Sequence, residues 1–205
     1  MSDDIILKIK QTFEDSISVK EAILDGGLFN ILLEAGDVIA DSIADGGKLM
    51  ICGNGGSAAD AQHLVAEFLV RLTSDVNREG IPAISLVQDT STITACLNDY
   101  GADEIFKRVL SSLARKGDVL LAITTSGNST NIIETLKLAQ SKGIYSLGFL
   151  GGDGGKALQY CNSAFIVPSK VTARIQESHI TAGHAMLQYI EDKLINEGWL
   201  SKEKS

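Results

Sequence analysis

The chain has 205 residues, of which 44% are hydrophobic and 21% are charged, as expected of a folded domain with a sizeable core. This apolar content excludes a disordered chain, and no apolar run reaches the roughly 18 residues that a membrane span needs. The net charge of −8 argues against general nucleic-acid binding, which needs a basic surface. A phosphorylated ligand stays possible, because backbone N–H groups hold phosphate without net positive charge.

Cysteine usage and the first residues predict a cytoplasmic protein. Cys52, Cys96 and Cys161 are widely spaced, form no CxxC pair and lie in apolar or strand-like surroundings, so we expect buried thiols. The start Met1-Ser2-Asp3-Asp4 has the wrong charge for a secretory leader, and no apolar leader segment follows it.

Two helices are predicted before the first strand. The first has a narrow apolar stripe with a period of four residues, formed by Ile5, Ile9, Phe13 and Ile17. The second lies between the glycine pairs at 26–27 and 46–47, and glycine is typical of a helix end. Such a pair of helices could cover the main domain or form a contact between subunits.

From residue 48 onward, short apolar runs alternate with helices, which predicts a parallel sheet covered on both faces. The five predicted strands are 49–52, 83–87, 118–123, 145–149 and 164–167. One predicted helix follows the glycine-rich loop and ends near residue 72. The others cover 91–97, 103–115, 131–141 and 172–199. Residues 73–80 and 151–155 are predicted loops. We therefore expect one three-layer α/β domain over 1–205, made of helices at 1–46, a sheet core at 47–170 and a terminal helix at 171–199.

A glycine-rich segment, Gly53-Asn54-Gly55-Gly56-Ser57-Ala58-Ala59-Asp60, follows the first predicted strand. Its glycines allow a tight turn and close approach to a ligand, and Ser57 with Asp60 has the spacing of a capping box. The segment also fits the dinucleotide fingerprint G-x-G-x-x-A, but the acidic residue at the required distance, Asp75, lies in a polar loop ahead of the second strand. A phosphosugar loop is favoured over a dinucleotide loop and over a plain tight turn.

Residues 124–130, Thr-Thr-Ser-Gly-Asn-Ser-Thr, follow the third predicted strand and carry five hydroxyl groups. Ordinary helix capping needs only one such side chain. Hydroxyls beside helix-start N–H groups are what an acidic protein can offer a phosphate dianion, so this turn favours phosphate binding.

Histidine and carboxylate spacing points to a chemical site on two helices. His63 and Glu67 are four residues apart and share a helix face, as a metal pair, a base with its orienting partner or a plain surface pair would. Gln176 and His184 lie about 80° apart around the terminal helix and can converge on one site. His179 lies about 140° from His184, so we expect it to have a structural role.

Together these motifs resemble the SIS (sugar isomerase) domain family, and within it the phosphoheptose isomerases, also called sedoheptulose 7-phosphate isomerases. The resemblance covers nearly the whole chain. Its most specific segments are CGNGGSAADAQH at 52–63, Asn98-Asp99 and ARIQESH at 173–179. One departure is Thr124, where the family usually has serine.

The resemblance implies a flavodoxin-like fold and an aldose-ketose isomerase. The implied reaction converts D-sedoheptulose 7-phosphate to D-glycero-D-manno-heptose 7-phosphate through an enediolate. That reaction is a first step toward ADP- or GDP-activated heptose for surface polysaccharide such as lipopolysaccharide or capsule. Homotetramers with sites at subunit boundaries are implied as well.

The resemblance also implies particular site residues. Glu67 would be the base and His184 the acid. One zinc ion per subunit would be held by His63, Glu67, Gln176 and His184. The implied substrate-binding residues are Asn54, Gly55, Gly56, Ser57, Asn98, Asp99, Thr124, Thr125, Ser126, Ser129 and Gln176.

Two other kinds of protein resemble this pattern of motifs less closely. A non-catalytic SIS protein that binds the bacterial replication initiator shares the glycine loop and the RIQE segment, but we would expect other residues at positions 67 and 184. A pentose-phosphate isomerase of the same fold would usually carry a different catalytic arrangement.

Overall fold

The computed structural model describes residues 2–87 and 89–203. The α-helices are α1 (Ser2–Asp25), α2 (Phe29–Ala44), α3 (Gly56–Leu69), α4 (Thr90–Asp99), α5 (Ile105–Leu113), α6 (Thr130–Ser141) and α7 (Thr172–Asn196). The strands are β1 (Leu49–Gly53), β2 (Asn77–Arg78), β3 (Ala83–Ser85), β4 (Val119–Thr124), β5 (Tyr145–Gly151), β6 (Ser163–Val167) and β7 (Lys202–Glu203). Short 3₁₀ helices cover Ala102–Glu104 and Gly155–Tyr160.

Five strands form the central sheet in the order β3-β1-β4-β5-β6, and all of its pairings are parallel. This is the flavodoxin-like order, in which the chain adds strands first on one side of β1 and then on the other. The α/β fold class and the five-stranded parallel sheet predicted from the sequence are confirmed. The reversal leaves a crevice between the carboxyl ends of β1 and β4, where ligands bind in folds of this kind.

Successive side chains of the central strands face two separate cores. Leu49 and Ile51 of β1 pack in the core under α2, α3 and α7, whereas Met50 and Cys52 pack in the core under α5 and α6. All five residues of β1 and all six of β4 are buried. A strand covered on both faces reads as an unbroken apolar run, which is why both strands could be recognised in the sequence.

Helix α1 meets the core only near its C-terminal end, where Val19 and Ile23 pack against it. The apolar stripe predicted on it is exposed, with 69% of Phe13 accessible. The helix is tied to α7 by Arg174, whose Nη1 donates to the Thr12 carbonyl oxygen over 3.0 Å. The described residues contain no helix that is both long and apolar enough to cross a membrane.

The predicted capping box at the start of α3 is wrong. The helix begins at Gly56, and its N-cap is Gly55, whose φ of 56° suits glycine. Ser57 therefore lies inside the first turn rather than at the cap, and no side chain caps this helix. Asp60 instead places its Oδ2 atom in a buried position where the described residues give it no hydrogen-bond partner. Burial raises the pKa of Asp60, and nearby His63 opposes that rise.

Several predicted boundaries also differ from the structure, at the ends of helices and strands. Helix α3 ends at Leu69 rather than near residue 72, and α7 ends at Asn196 rather than at 199. The predicted loop 73–80 contains β2, which pairs antiparallel with β7. A two-residue polar strand has no periodicity to detect in the sequence. It forms only because residues 77 and 78 pair with residues 203 and 202. Of the three thiols, Cys52 and Cys96 are buried as expected and Cys161 is partly buried.

His179 is a core residue, as its angular position on the helix predicts. Its ring is completely buried beside Phe149, and its Nε2 lies 3.0 Å from the Leu150 carbonyl oxygen. Since that oxygen can only accept, Nε2 carries the proton. Burial lowers the pKa of His179 to about 4, although the hydrogen bond to Leu150 opposes the shift.

This buried histidine predicts acid sensitivity. In the unfolded chain His179 takes up a proton below about pH 6.5, whereas in the folded protein it does so only below about pH 4. The free energy of unfolding therefore falls as the pH drops from 6.5 to 4. At about 1.4 kcal/mol per pKa unit, the free energy of unfolding falls by about 3 kcal/mol. Urea unfolding at pH 7 and pH 4.5 should show a larger loss in the wild type than in His179→Gln, whose amide can still donate to Leu150. Equal losses in both proteins would contradict the assignment.

Candidate active site

A cavity of about 280 Å³ opens at the carboxyl ends of β1 and β4. It lies where the order of the sheet reverses, beside the first turns of α3, α6 and α7. Its walls are Asn54, Gly55, Gly56, Ser57, Ile123, Thr124, Thr125, Ser129, Thr172 and Gln176. The two polar turns predicted from the sequence therefore meet at one cavity.

Three helices begin at this cavity without a side-chain cap. The N-cap residues are Gly55 for α3, Ser129 for α6 and Val171 for α7, and none of them makes a capping hydrogen bond through its side chain. In contrast, Asp89 caps α4 by accepting from the Thr92 amide over 3.0 Å. Helix starts without a side-chain cap carry a partial positive charge, so three of them together are suited to an anion.

Hydroxyl groups supplement these donors. Ser57 is buried, and its hydroxyl makes no hydrogen bond within the part of the chain that the structure describes. The hydroxyl oxygens of Ser129 and Thr124 lie 3.3 Å apart. Thr124 is the last residue of β4 and is buried, so the extra methyl group that distinguishes it from serine is accommodated in the core.

Ser126 lies slightly apart from the other predicted hydroxyls. It lines a neighbouring cavity of about 580 Å³, together with Lys170 and Asp153, and Thr125 and Thr172 border both cavities. Its oxygen accepts a hydrogen bond from the Asn128 amide over 3.1 Å. The hydroxyl proton of Ser126 therefore stays available to a ligand that spans the border between the cavities.

Asn131 is a site residue that the sequence analysis missed. Its side-chain amide and that of Asn54 exchange two hydrogen bonds, of 2.8 and 2.9 Å, across the mouth of the cavity. This reciprocal pair links the glycine loop to the first turn of α6. Asparagine after a strand is a common turn residue, so the sequence carried no signal that these two face each other.

The two helix-borne motifs meet in the structure. The Nε2 atoms of His63 on α3 and His184 on α7 lie 2.9 Å apart, and Glu67 Oε1 lies 3.7 Å from His63 Nε2. Burial lowers the pKa of His184, His63 lowers it further, and Glu67 opposes both. A neutral imidazole beside a carboxylate is suited to moving protons or to binding a metal ion.

Gln176 packs against the glycine loop. A β-carbon at position 56 would displace the Gln176 side-chain amide from its present position. Gln176 thus lines the cavity two turns before His184 on α7. Six residues separate Ser57 from His63 on α3, which is about 9 Å along the helix axis. The cavity and the histidine pair are therefore neighbouring parts of one elongated site.

Metal-binding potential rests on a small donor set. Within residues 2–87 and 89–203, no three or more His, Cys, Asp and Glu side chains are gathered closely enough to hold a metal ion as they stand. Two imidazole nitrogens with a carboxylate nearby are nevertheless the donor types that zinc prefers, and an amide oxygen from Gln176 would be the weakest of the four. The chemistry of the donors fits zinc.

Asn98 and Asp99, which the resemblance assigns to substrate binding, do not line the cavity. They lie exposed at the end of α4, where the Asn98 amide donates to Asp99 over 2.8 Å. Asp99 borders a separate groove with Tyr100 and Arg108, whose guanidinium lies 3.6 Å from the centre of the tyrosine ring. Within one chain, these two residues are not part of the site.

The sheet order and the polar cavity at its reversal define a flavodoxin-like α/β domain with a polar cavity at its ligand-binding edge. The profile of the SIS domain matches residues 15–151. The chain is 42% identical over 194 residues to a phosphoheptose isomerase of Aneurinibacillus thermoaerophilus, covering 94% of this chain and 97% of that protein. It is 51% identical over 151 residues to the phosphoheptose isomerase of Paramagnetospirillum magneticum, covering 74% of this chain and 78% of that protein.

Solved structures agree with these relatives. The phosphoheptose isomerase of Neisseria gonorrhoeae superposes with a TM-score of 0.84 at 38% identity, over 92% of this chain and 99% of that one. That of Francisella tularensis gives 0.86 at 34% identity, over 91% and 98%. The chain belongs to the SIS domain family and, within it, to the phosphoheptose isomerases.

Proposed function

We propose that this protein isomerises D-sedoheptulose 7-phosphate to D-glycero-D-manno-heptose 7-phosphate, the first step toward an activated heptose for surface polysaccharide. The observation that carries the proposal is the elongated site, in which an anion-binding cavity adjoins the cluster of His63, Glu67 and His184. An extended seven-carbon sugar phosphate can bridge these two parts, with its phosphate in the cavity and its carbonyl end at the cluster. The phosphoheptose isomerase relatives support the same substrate.

The reaction needs a base beside the carbonyl carbon and a proton donor for oxygen. Glu67 is the base: it removes the carbon-bound proton next to the carbonyl and returns it to the neighbouring carbon. His184 moves the proton between the two substrate oxygens. Its lowered pKa keeps the imidazole neutral at physiological pH, so it can donate from one nitrogen and accept afterwards.

A zinc ion held by His63, Glu67, Gln176 and His184 is part of the proposal. When bound, zinc would act as a Lewis acid toward the carbonyl and the enediolate oxygens. Support comes from the two imidazole nitrogens that already face each other and from the neighbouring carboxylate. The protein residues then orient the sugar and exclude water from the reacting end.

Phosphate anchoring in an acidic protein must come from short-range donors. A net charge of −8 repels a dianion at long range, and salt screens this repulsion within about a Debye length. Three helix starts without side-chain caps, with the hydroxyls of Ser57, Thr125, Ser126 and Ser129, supply those donors. The phosphate thereby fixes the orientation of the reacting end.

We also propose a cytoplasmic homotetramer. The exposed apolar stripe of α1 and the location of Asn98 and Asp99 outside the single-chain site support assembly. In an assembly, α4 of one subunit would complete the site of another.

An enzyme is favoured over the non-catalytic SIS protein considered from the sequence. The relatives described above are named as isomerases. Glu67 and His184, the two positions expected to differ in a non-catalytic relative, both carry ionisable side chains at the site.

Glu67→Gln should lower kcat for sedoheptulose 7-phosphate by about 10²-fold or more, because an amide of the same size cannot accept the proton. Glu34→Gln is the matched control, since Glu34 is exposed on α2. Both variants should unfold at the same temperature as the wild type. More than about a tenth of the wild-type rate in Glu67→Gln would exclude Glu67 as the base.

Elemental analysis of protein purified with zinc should find about one ion per chain, as expected for a site with four ligands. His63→Gln should lose most of the zinc, whereas His179→Gln should keep it, because His179 is buried against Leu150. Equal zinc in both variants would place the ion elsewhere. Full activity after complete removal by a chelator would make the ion dispensable for catalysis.

Ser57→Ala tests the phosphate cavity with little structural side effect, because no hydrogen bond in the described chain engages that hydroxyl. Losing a hydrogen bond to a charged group costs roughly 1.5–3 kcal/mol, so KM should rise about ten-fold or more. The effect on kcat should be small, because ground and transition states hold the phosphate alike. Ser141→Ala, at the far end of α6, should leave KM unchanged. Equal turnover of unphosphorylated sedoheptulose by the wild type would refute phosphate recognition.

A further inference from the structure

Arg78 is a buried cation in a segment that looks like an ordinary polar loop. Its side chain has no solvent exposure, and it pairs through Nε with the carboxylate of Glu191, which is also buried. Three of the four remaining guanidinium hydrogens bind backbone oxygens. Nη1 donates to Phe68 over 3.0 Å and to Glu79 over 2.9 Å, and Nη2 donates to Glu67 over 3.0 Å.

Apart from the Glu79 carbonyl, these acceptors belong to the two helices that carry the reacting groups. The carbonyls of Glu67 and Phe68 are in the last turn of α3, where a helix leaves its carbonyl oxygens without partners. Glu191 follows His184 on α7 by seven residues, or two turns, and therefore lies on nearly the same face of that helix. Arg78 thus joins the backbone of the base-bearing turn to the face of α7 that presents His184.

A second contact between the two helices adjoins the histidine pair. Gly183 of α7, next to His184, packs against Leu64 of α3, where an added β-carbon would come within 2.7 Å of the leucine side chain. His63 and His184 can meet at 2.9 Å only while α3 and α7 keep this separation. Leu64 and Gly183 limit the approach of the helices, and the Arg78–Glu191 pair fixes their position farther along.

Stability alone does not explain a fully buried ion pair. Desolvating both charges offsets most of their attraction, and well-packed apolar residues of similar volume often stabilise a protein as well or better. What the pair supplies is geometry, because a planar guanidinium with four engaged N–H groups fixes its partners in direction as well as distance. A displacement of about 1 Å in a catalytic group can cost about 10²-fold in rate.

We propose that Arg78, acting through Glu191 and the end of α3, is a positioning residue that sets Glu67 and His184 in their reactive arrangement. This inference rests on the proposed isomerase function. Arg78 touches no substrate in this assignment, and its influence is carried by the backbone of Glu67 and by the packing of α7 on α3.

Arg78→Met is the test, because methionine keeps much of the apolar stem and removes every guanidinium hydrogen bond. The matched control is Lys48→Met, which breaks the Lys48–Asp118 pair of 2.6 Å at the opposite end of the sheet. We expect Arg78→Met to lower kcat at least ten-fold per folded molecule with KM within about three-fold, as misplacement at the reacting end predicts. Lys48→Met should lose stability and keep kcat.

Further variants separate positioning from folding. If Arg78→Met does not fold, the double variant Arg78→Met/Glu191→Leu removes the unpaired buried charge and should fold, with the same loss of kcat. Arg78→Lys retains a charge for Glu191 but lacks the planar fork, so it should recover only part of kcat. Wild-type kcat in a folded variant without the Arg78–Glu191 pair would overturn the proposal.

A spectroscopic measurement separates this proposal from the proposed function. The ring Cε1–H resonances of His63 and His184 should shift in the folded Arg78 variant and stay in place in Lys48→Met, whatever the substrate. If the wild type fails to turn over sedoheptulose 7-phosphate while these resonances shift, the substrate assignment fails and the positioning role stands. Unchanged resonances in the Arg78 variant would refute the positioning role.

Discussion

The site depends on one constraint, the close approach of α3 to α7 near the carboxyl ends of β1 and β4. His63 and Glu67 come from one helix and His184 from the other, so the contact of 2.9 Å between the histidines exists only at this helix separation. Small residues and buried charge maintain it: Gly183 lets the helices come close, and Arg78 with Glu191 ties their far ends. The geometry of this cluster is thus a property of helix packing more than of either sequence motif.

The same sheet edge explains how an acidic protein can hold a dianion. Because strand order reverses between β1 and β4, the connections after both strands leave the sheet at one point and in opposite directions. Helices α3 and α6 therefore start at one cavity, α7 reaches it from the end of β6, and none of the three has a side-chain cap. In the proposed function, these helix starts take the place of the lysines and arginines that a charge-based site would need.

Several polar side chains are buried in this fold at a cost in local stability. The Asp60 Oδ2 atom and the Nδ1 atom of His179 lie buried where the described residues give them no hydrogen-bond partner. Arg78 is the opposite case, a buried charge with its donors well engaged. His179 is tolerated because burial keeps it neutral, and Arg78 because Glu191 and three carbonyl oxygens solvate it.

The sequence by itself determined the parallel sheet, the two ligand-facing turns and the separation of His179 from the other histidines, because hydrophobic period and helix angle are local properties. It could not determine the reciprocal Asn54–Asn131 pair or the burial of Arg78, since both depend on residues about 77 and 113 positions away. The capping box failed for a related reason: Gly55 accepts a left-handed turn, so the helix starts earlier than its polar residues suggest. Local patterns specify elements, and only tertiary packing specifies which faces of those elements meet.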